Sequence, residues 1–177
     1  MKKQSKLLGL LFLFAFTGLI SCKGKEETKG TDGDKKNDVV SENIEKTKTF
    51  YPMFEKADWS GIEKIVSADF KDHSSMGDPN APSNRDSLIN GLKAFHDAFP
   101  DMKFEVLHVA GVDDMVFVHY RFTGTNSGAM MGMPATNKKV DYMGVDLVKI
   151  KDGVATEHWD YGDNISFMKQ MGMMPGN

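Results

Sequence analysis

His158 and Asp160 stand two residues apart in the segment Glu157-His158-Trp159-Asp160, and Asp146 lies on the apolar run just before it. On a β-strand a two-residue spacing sends both side chains to one face. Asp152-Gly153 is a two-residue hairpin turn joining a strand over 139–151 to one over 154–161. With 151 opposite 154, Asp146 falls opposite about residue 159, beside the 158–160 segment. A twist or a bulge then decides whether all three groups share the concave side. A carboxylic acid in an apolar pocket has its charged form disfavoured, and a second carboxylate nearby raises one pKa further. Such a group can take an α-proton from an activated carbonyl compound and return it to a developing alkoxide, which contributes about 100- to 10,000-fold in rate. Asp160 is the expected general acid/base, Asp146 its carboxylate partner and His158 an orienting or proton-sharing group. The same three residues can equally form a structural hydrogen-bonded cluster.

Other side chains are candidates for the walls of such a pocket. Phe117, Tyr120, Tyr142 and Trp159 are aromatic residues on the same strands, and only one strand face can reach the pocket. His119 alternates with Phe117 and Arg121, so it either lines the pocket or pairs with a neighbouring strand. An unneutralised Asp160 would favour an enzyme, whereas pairing with Arg121 or a lysine would favour binding or structure. No H-x-H or H-x-x-x-H pair anchors a metal, and the acid/base chemistry requires neither a metal nor an organic cofactor. Met130, Met131, Met133 and Met143, with Met168, Met171, Met173 and Met174, supply adaptable apolar surface in a glycine loop and near the C-terminus.

The elements that must position these residues follow from periodicity. Val40, Ile44, Phe50, Tyr51 and Phe54 suit one helix face over 39–57, with Pro52 expected to bend or restart the helix. Residues 59–66 read as a second, short helix and 69–73 as a short extended piece. Ser83 opens a further helix with Asp86 three residues on, Leu88, Leu92, Phe95 and Phe99 follow at helical intervals, and Pro100 stops it. The period then changes to two. Strands are expected over 102–109, 115–125, 139–151 and 154–161, followed by a closing helix over 164–171. Helices first, then an antiparallel meander, give an α+β fold.

The N-terminus reads differently. Lys2, Lys3 and Lys6 precede a mostly apolar run from Leu7 to Ile20, then Ser21 and Cys22. Roughly 14 apolar residues after a basic head form a secretory signal, too short for a membrane span of about 20. Leu19-Ile20-Ser21-Cys22 resembles the bacterial lipobox, which implies a signal peptide over 1–21 and a lipidated Cys22. That anchor places the protein in the bacterial cell envelope, at the outer membrane or cell surface. Cys22 is the only cysteine, so no intramolecular disulfide can form. Residues 23–38 contain no apolar side chain, so 22–38 is expected to be a flexible tether and 39–177 one domain. Removing Lys2, Lys3 and Lys6 leaves 19 of the 22 basic residues against 25 acidic ones, a net charge of −6. With no basic stripe, nucleic acid is excluded as a partner class.

Asp69-Phe70-x-Asp72-His73 and Ala94-Phe95-x-x-Ala98-Phe99-Pro100-Asp101 resemble the first half of SnoaL-like polyketide cyclases. Phe122-Thr123-Gly124-Thr125, Gly132-Met133-Pro134-Ala135-Thr136, Lys149-Ile150-x-Asp152-Gly153 and Glu157-His158-Trp159-Asp160 continue in family order. The resemblance implies a cone-shaped fold of the nuclear transport factor 2 type, a curved antiparallel sheet with N-terminal helices enclosing a pocket. It implies that Asp160 matches the acid/base Asp of an intramolecular aldol closure, and that Asp146 stands where many cyclases carry His. It also implies that His73 faces the pocket mouth, although a loop histidine would look the same. These folds often pair through the outer sheet face, so a homodimer is a further expectation. Together the residues and the resemblance describe an envelope lipoprotein that binds a small apolar carbonyl compound. Cofactor-free aldol cyclisation or isomerisation, as in an ester cyclase, is one expected activity, and ligand binding without turnover at the membrane surface is the other.

Overall fold

The computed structural model describes residues 32–74, 82–130 and 132–174. The signal peptide, Cys22 and the first part of the expected tether lie outside the described residues. Helix α1 (Asp32–Glu55) begins within the polar segment expected to be tether. Lys36 pairs with Asp113 at 2.5 Å, which ties these first turns to the domain. Pro52 does not restart the helix. It lies on the exposed side, one turn from the end, while buried Tyr51 and Phe54 hold that turn against the core.

The short helix expected over 59–66 is only one 3-10 turn at Ile62–Lys64. Gly61 precedes it at φ 80°, a left-handed conformation that interrupts a regular helix start. β-branched Val66 already opens β1 (Val66–Asp72) and pairs with Ala155. α2 (Arg85–Ala98) is capped by Asn84 rather than Ser83, the Asn84 side chain accepting from the Ser87 amide. Strands β2 (Lys103–Val112), β3 (Met115–Thr125), β4 (Lys139–Lys151) and β5 (Val154–Gly162) form the meander, and α3 (Asn164–Met171) follows.

The sheet is curved and unclosed, in the order β1-β5-β4-β3-β2. Four strands are antiparallel as expected, and β1 adds a parallel edge on β5. Phe99, Met102, Val116, Val118, Phe122 and Met171 are fully buried where helices meet the inner face. The outer face has no covering layer among the described residues. Phe117, Met143 and Tyr161 are exposed there.

Two bulges set which side chains face inward. In β2, Val106 opposes Tyr120 but His108 opposes His119, so Leu107 is the extra residue. Phe104 and Val106 therefore pack on the core, whereas His108 turns outward and stacks on His119 with ring centroids 5.5 Å apart. In β5, Ile150 opposes Ala155 but Lys149 opposes Glu157, so Thr156 is extra. This single residue moves Asp160, not Trp159, opposite Asp146.

Candidate active site

The inner faces of β4 and β5 carry Asp146, His158 and Asp160 into a cavity of about 970 Å³. Phe50 and Phe54 from α1, Leu88 and Leu92 from α2, and Phe70 from β1 help make its walls largely apolar. His158 sits between two carboxylates. Its Nε2 donates to Asp146 Oδ1 at 3.0 Å and its Nδ1 to Asp72 Oδ1 at 3.1 Å. The other Asp146 oxygen accepts from the Tyr51 hydroxyl at 2.5 Å. A continuous chain thus runs Asp72–His158–Asp146–Tyr51. Asp160 stands apart from it, accepting from the Tyr120 hydroxyl at 3.0 Å.

Glycines make room for this arrangement. A Cβ on Gly144 would lie 2.5 Å from the Tyr120 hydroxyl, and one on Gly162 would lie 1.7 Å from that of Tyr142. Gly144 and Gly162 are cross-strand partners two residues beyond the Asp146–Asp160 pair along β4 and β5. Any side chain at Gly144 would displace the hydroxyl that reaches Asp160.

The electrostatics divide the acids. Burial disfavours the charged form of His158, but hydrogen bonds and charges from Asp146 and Asp72 prevail and raise its pKa from 6.5 to about 10. His158 is therefore an imidazolium at neutral pH. Burial alone would raise the Asp72 carboxyl, yet the bonds and charge from His158, with bonds from Ser74, hold it below its usual value. Asp160 moves the other way: burial and the neighbouring Asp146 charge raise it, against the Tyr120 bond and the His158 charge. Burial and the two acids push the Tyr51 and Tyr120 hydroxyls well above their usual range, so both stay protonated donors.

The expected site residues separate into two groups. Asp146, His158, Asp160 and Tyr142 line the cavity. Phe117, His119 and Trp159 do not: alternation along β3, and the Thr156 bulge in β5, put them on the outer face. His73 also lies outside the cavity, stacked on Trp159 at 4.6 Å and 3.0 Å from Glu157. Arg121 is outward too and pairs with Asp141 at 2.5 Å, so it does not neutralise Asp160.

Tyr51 and Asp72 were not singled out for the site. Asp72 stands in the Asp69-Phe70-x-Asp72-His73 motif, and Tyr51 shares the inward helix face with Phe54, so both signals were present but weak. Among the described residues no group of three or more His, Cys, Asp or Glu is arranged to hold a metal ion.

The SnoaL-like polyketide cyclase profile matches residues 45–171, most of the chain. The protein belongs to the SnoaL-like polyketide cyclase family. A candidate SnoaL-like polyketide cyclase from Jannaschia superimposes with a TM-score of 0.68 at 21% identity, over 77% of this chain and 96% of the other. A candidate polyketide cyclase from Bacillus cereus gives 0.64 at 25% identity, over 76% and 83%. AclR of Streptomyces galilaeus, a candidate hydroxylase, gives 0.65 at 24% identity, over 77% and 99%. No curated protein matches the chain. A shared fold does not set the chemistry, which lies with the residues that line the cavity. The family and the cavity together support small-molecule binding.

Proposed function

We propose that this SnoaL-like domain binds a small apolar carbonyl compound and acts on it by cofactor-free acid/base chemistry, with Asp160 as the acid/base. One observation carries the reading: Asp160 faces a largely apolar cavity, bonded to a tyrosine hydroxyl and, among the described residues, paired with no lysine or arginine. The Asp160 carboxylate removes a proton from the carbon next to a carbonyl, and the electron pair moves onto the carbonyl oxygen as an enolate. In an aldol closure the enolate carbon attacks a second carbonyl of the same molecule. The new alkoxide then takes the proton back from Asp160, so no external reagent is consumed. In an isomerisation the same proton returns to a different carbon. The Asp72–His158–Asp146 chain carries one imidazolium between two carboxylates, and the Asp146 charge keeps the Asp160 proton affinity high.

The test is a carboxylate NMR titration of the domain with Asp160→Asn as the assignment control. The Asp160 resonance is expected to titrate above the ordinary carboxylate range. Turnover of diketone model compounds is expected to fall about 100- to 10,000-fold in Asp160→Asn. An ordinary titration with turnover unchanged in that variant would sink the reading.

Lys2, Lys3, Lys6, the apolar run and Cys22 support envelope attachment through a lipidated cysteine. Metabolic labelling with an alkyne fatty acid is expected to mark the wild-type chain and not Cys22→Ser. Equal labelling of both would remove the anchor from the proposal.

A further inference from the structure

The cavity has an edge as well as a floor. Lys46, Thr47 and Phe50 of α1 and Leu88, Gly91 and Leu92 of α2 all line it, so the space between the helices is continuous with the cavity. Among the described residues the one ring contact between the two helices is Phe54 with Phe95, at 5.9 Å. Gly91 lies one turn before Phe95 on the same side of α2. It is exposed and yet lines the cavity, which places it at the mouth.

Among the described residues nothing in the packing explains a glycine there. A Cβ on Gly91 would meet none of their atoms within 4 Å, and its φ is not positive. A glycine inside a helix is nonetheless destabilising relative to alanine. Its effect is to leave empty the space that a larger side chain would fill at the mouth.

The charges along this route are one-sided. Among the described residues Lys46 is the one lysine or arginine in the lining, and it is paired with Glu42 at 3.0 Å. At the floor Asp72, Asp146 and Asp160 face a single imidazolium, that of His158. An anionic group moving inward would leave water and approach carboxylates, a penalty on both counts.

We propose that ligands enter through the gap between α1 and α2 at Gly91, and that this passage selects uncharged apolar compounds. The proposal rests on the cavity being the ligand site and is independent of whether Asp160 turns a substrate over.

The test uses the full chain carrying Val148→Cys, because Val148 lies on the cavity floor beside His158. Modification of that cysteine by neutral N-phenylmaleimide and by anionic N-(4-carboxyphenyl)maleimide is timed by peptide mass spectrometry, with the urea-unfolded chain as the reference for intrinsic reactivity. The anionic reagent is expected to fall behind the neutral one by about tenfold relative to that reference. Adding Gly91→Phe is expected to slow both by about tenfold or more, while Gly91→Ala keeps the original rates. If Gly91→Phe melts non-cooperatively, Gly91→Leu takes its place. Rates unchanged by the bulky residue would put the entry elsewhere, and equal treatment of the two reagents would remove the charge selection. Failure of Asp160 catalysis would leave all of these rates as they are, so the two readings fail separately.

Discussion

On the outer face of β3 and β4, Arg121 reaches Asp141 at 2.5 Å and Glu105 at 3.9 Å, all of it exposed. On the inner face of β4 and β5, His158 reaches Asp146 and Asp72 at 3.0 and 3.1 Å, enclosed by aromatic walls. The distances are similar and the consequences are not. Outside, water screens the charges and each group could be solvated alone. Inside, an unpaired charge would be stranded in a low dielectric, so the imidazolium and its carboxylates depend on one another. A sheet one residue thick thus keeps two kinds of charge pair apart by strand alternation alone, and the inner set is the one able to shift proton affinities.

Breaking the residue count that sorts the faces should have the largest effect. An alanine inserted between Glu157 and His158, with the Thr156 bulge kept, slips the rest of β5 by one residue against β4 and exchanges its faces. Trp159 would turn inward, while His158 and Asp160 would turn out. The insertion is expected to cost several kcal/mol, a large share of a typical total of about 5–15 kcal/mol. It should also abolish the downfield imidazole N–H resonances of His158. Thr156→Ala, which keeps the count, should retain them. Persistence of those resonances in the insertion would show that the count after the bulge does not sort the faces.

The next effect comes from His158 itself. Replacing it with Gln leaves Asp72 and Asp146 without their imidazolium; breaking a fully buried pair costs about 3–5 kcal/mol, and the 35% exposure of the Asp72 side chain brings the expected cost below that range. The pH dependence has a definite sign. His158 is raised from 6.5 to about 10, so its stabilisation is complete below pH 6.5 and is lost as pH rises through 10. Asp72 is lowered, so its contribution holds above the ordinary carboxylate value and is lost as pH falls through the lowered one. Urea unfolding from pH 6 to 10.5 should therefore show a declining limb in the wild type that is absent in His158→Gln. A parallel decline in both would mean that His158 is not the titrating group.

This dependence on one extra residue explains what could be read from the sequence. β3 and β4 fall where alternation and the Asp152-Gly153 turn predict them, and α3 where its apolar spacing does. The pairing of Asp146 with the 158–160 segment was legible as proximity. Its register was not, because a bulge at Thr156 changes the pairing without changing composition or period. For the same reason Trp159 read as a wall of the pocket and proves to stack with His73 outside it. The Leu107 bulge likewise takes His108 off the inner face on which strict alternation with Phe104 and Val106 would have put it. Asp72 and Tyr51 reach the site from segments far away in sequence, so only the assembled sheet and α1 bring them to His158 and Asp146. The glycines at 144 and 162 carry meaning only once the tyrosines opposite them are known.

The smallest effect is expected where the geometry looks strongest. Arg121 offers two hydrogen bonds to Asp141, from Nε at 2.8 Å and from the terminal nitrogen at 2.5 Å. Its exposure means that the unfolded chain gives the same guanidinium and carboxylate to water at little cost, so pairing them gains little. Arg121→Ala should leave the urea midpoint close to that of the wild type. Any small loss should vanish in about 1 M salt, where screening acts within roughly 3 Å. The loss in His158→Gln should largely persist in the same salt, because the His158 and Asp146 side chains are only 21% and 15% exposed. If Arg121→Ala cost as much as His158→Gln and kept that cost in salt, the contrast between the faces would not be one of burial. The curvature of the sheet, with Arg121 fastening β2 to β4 across β3, would then be the property to measure.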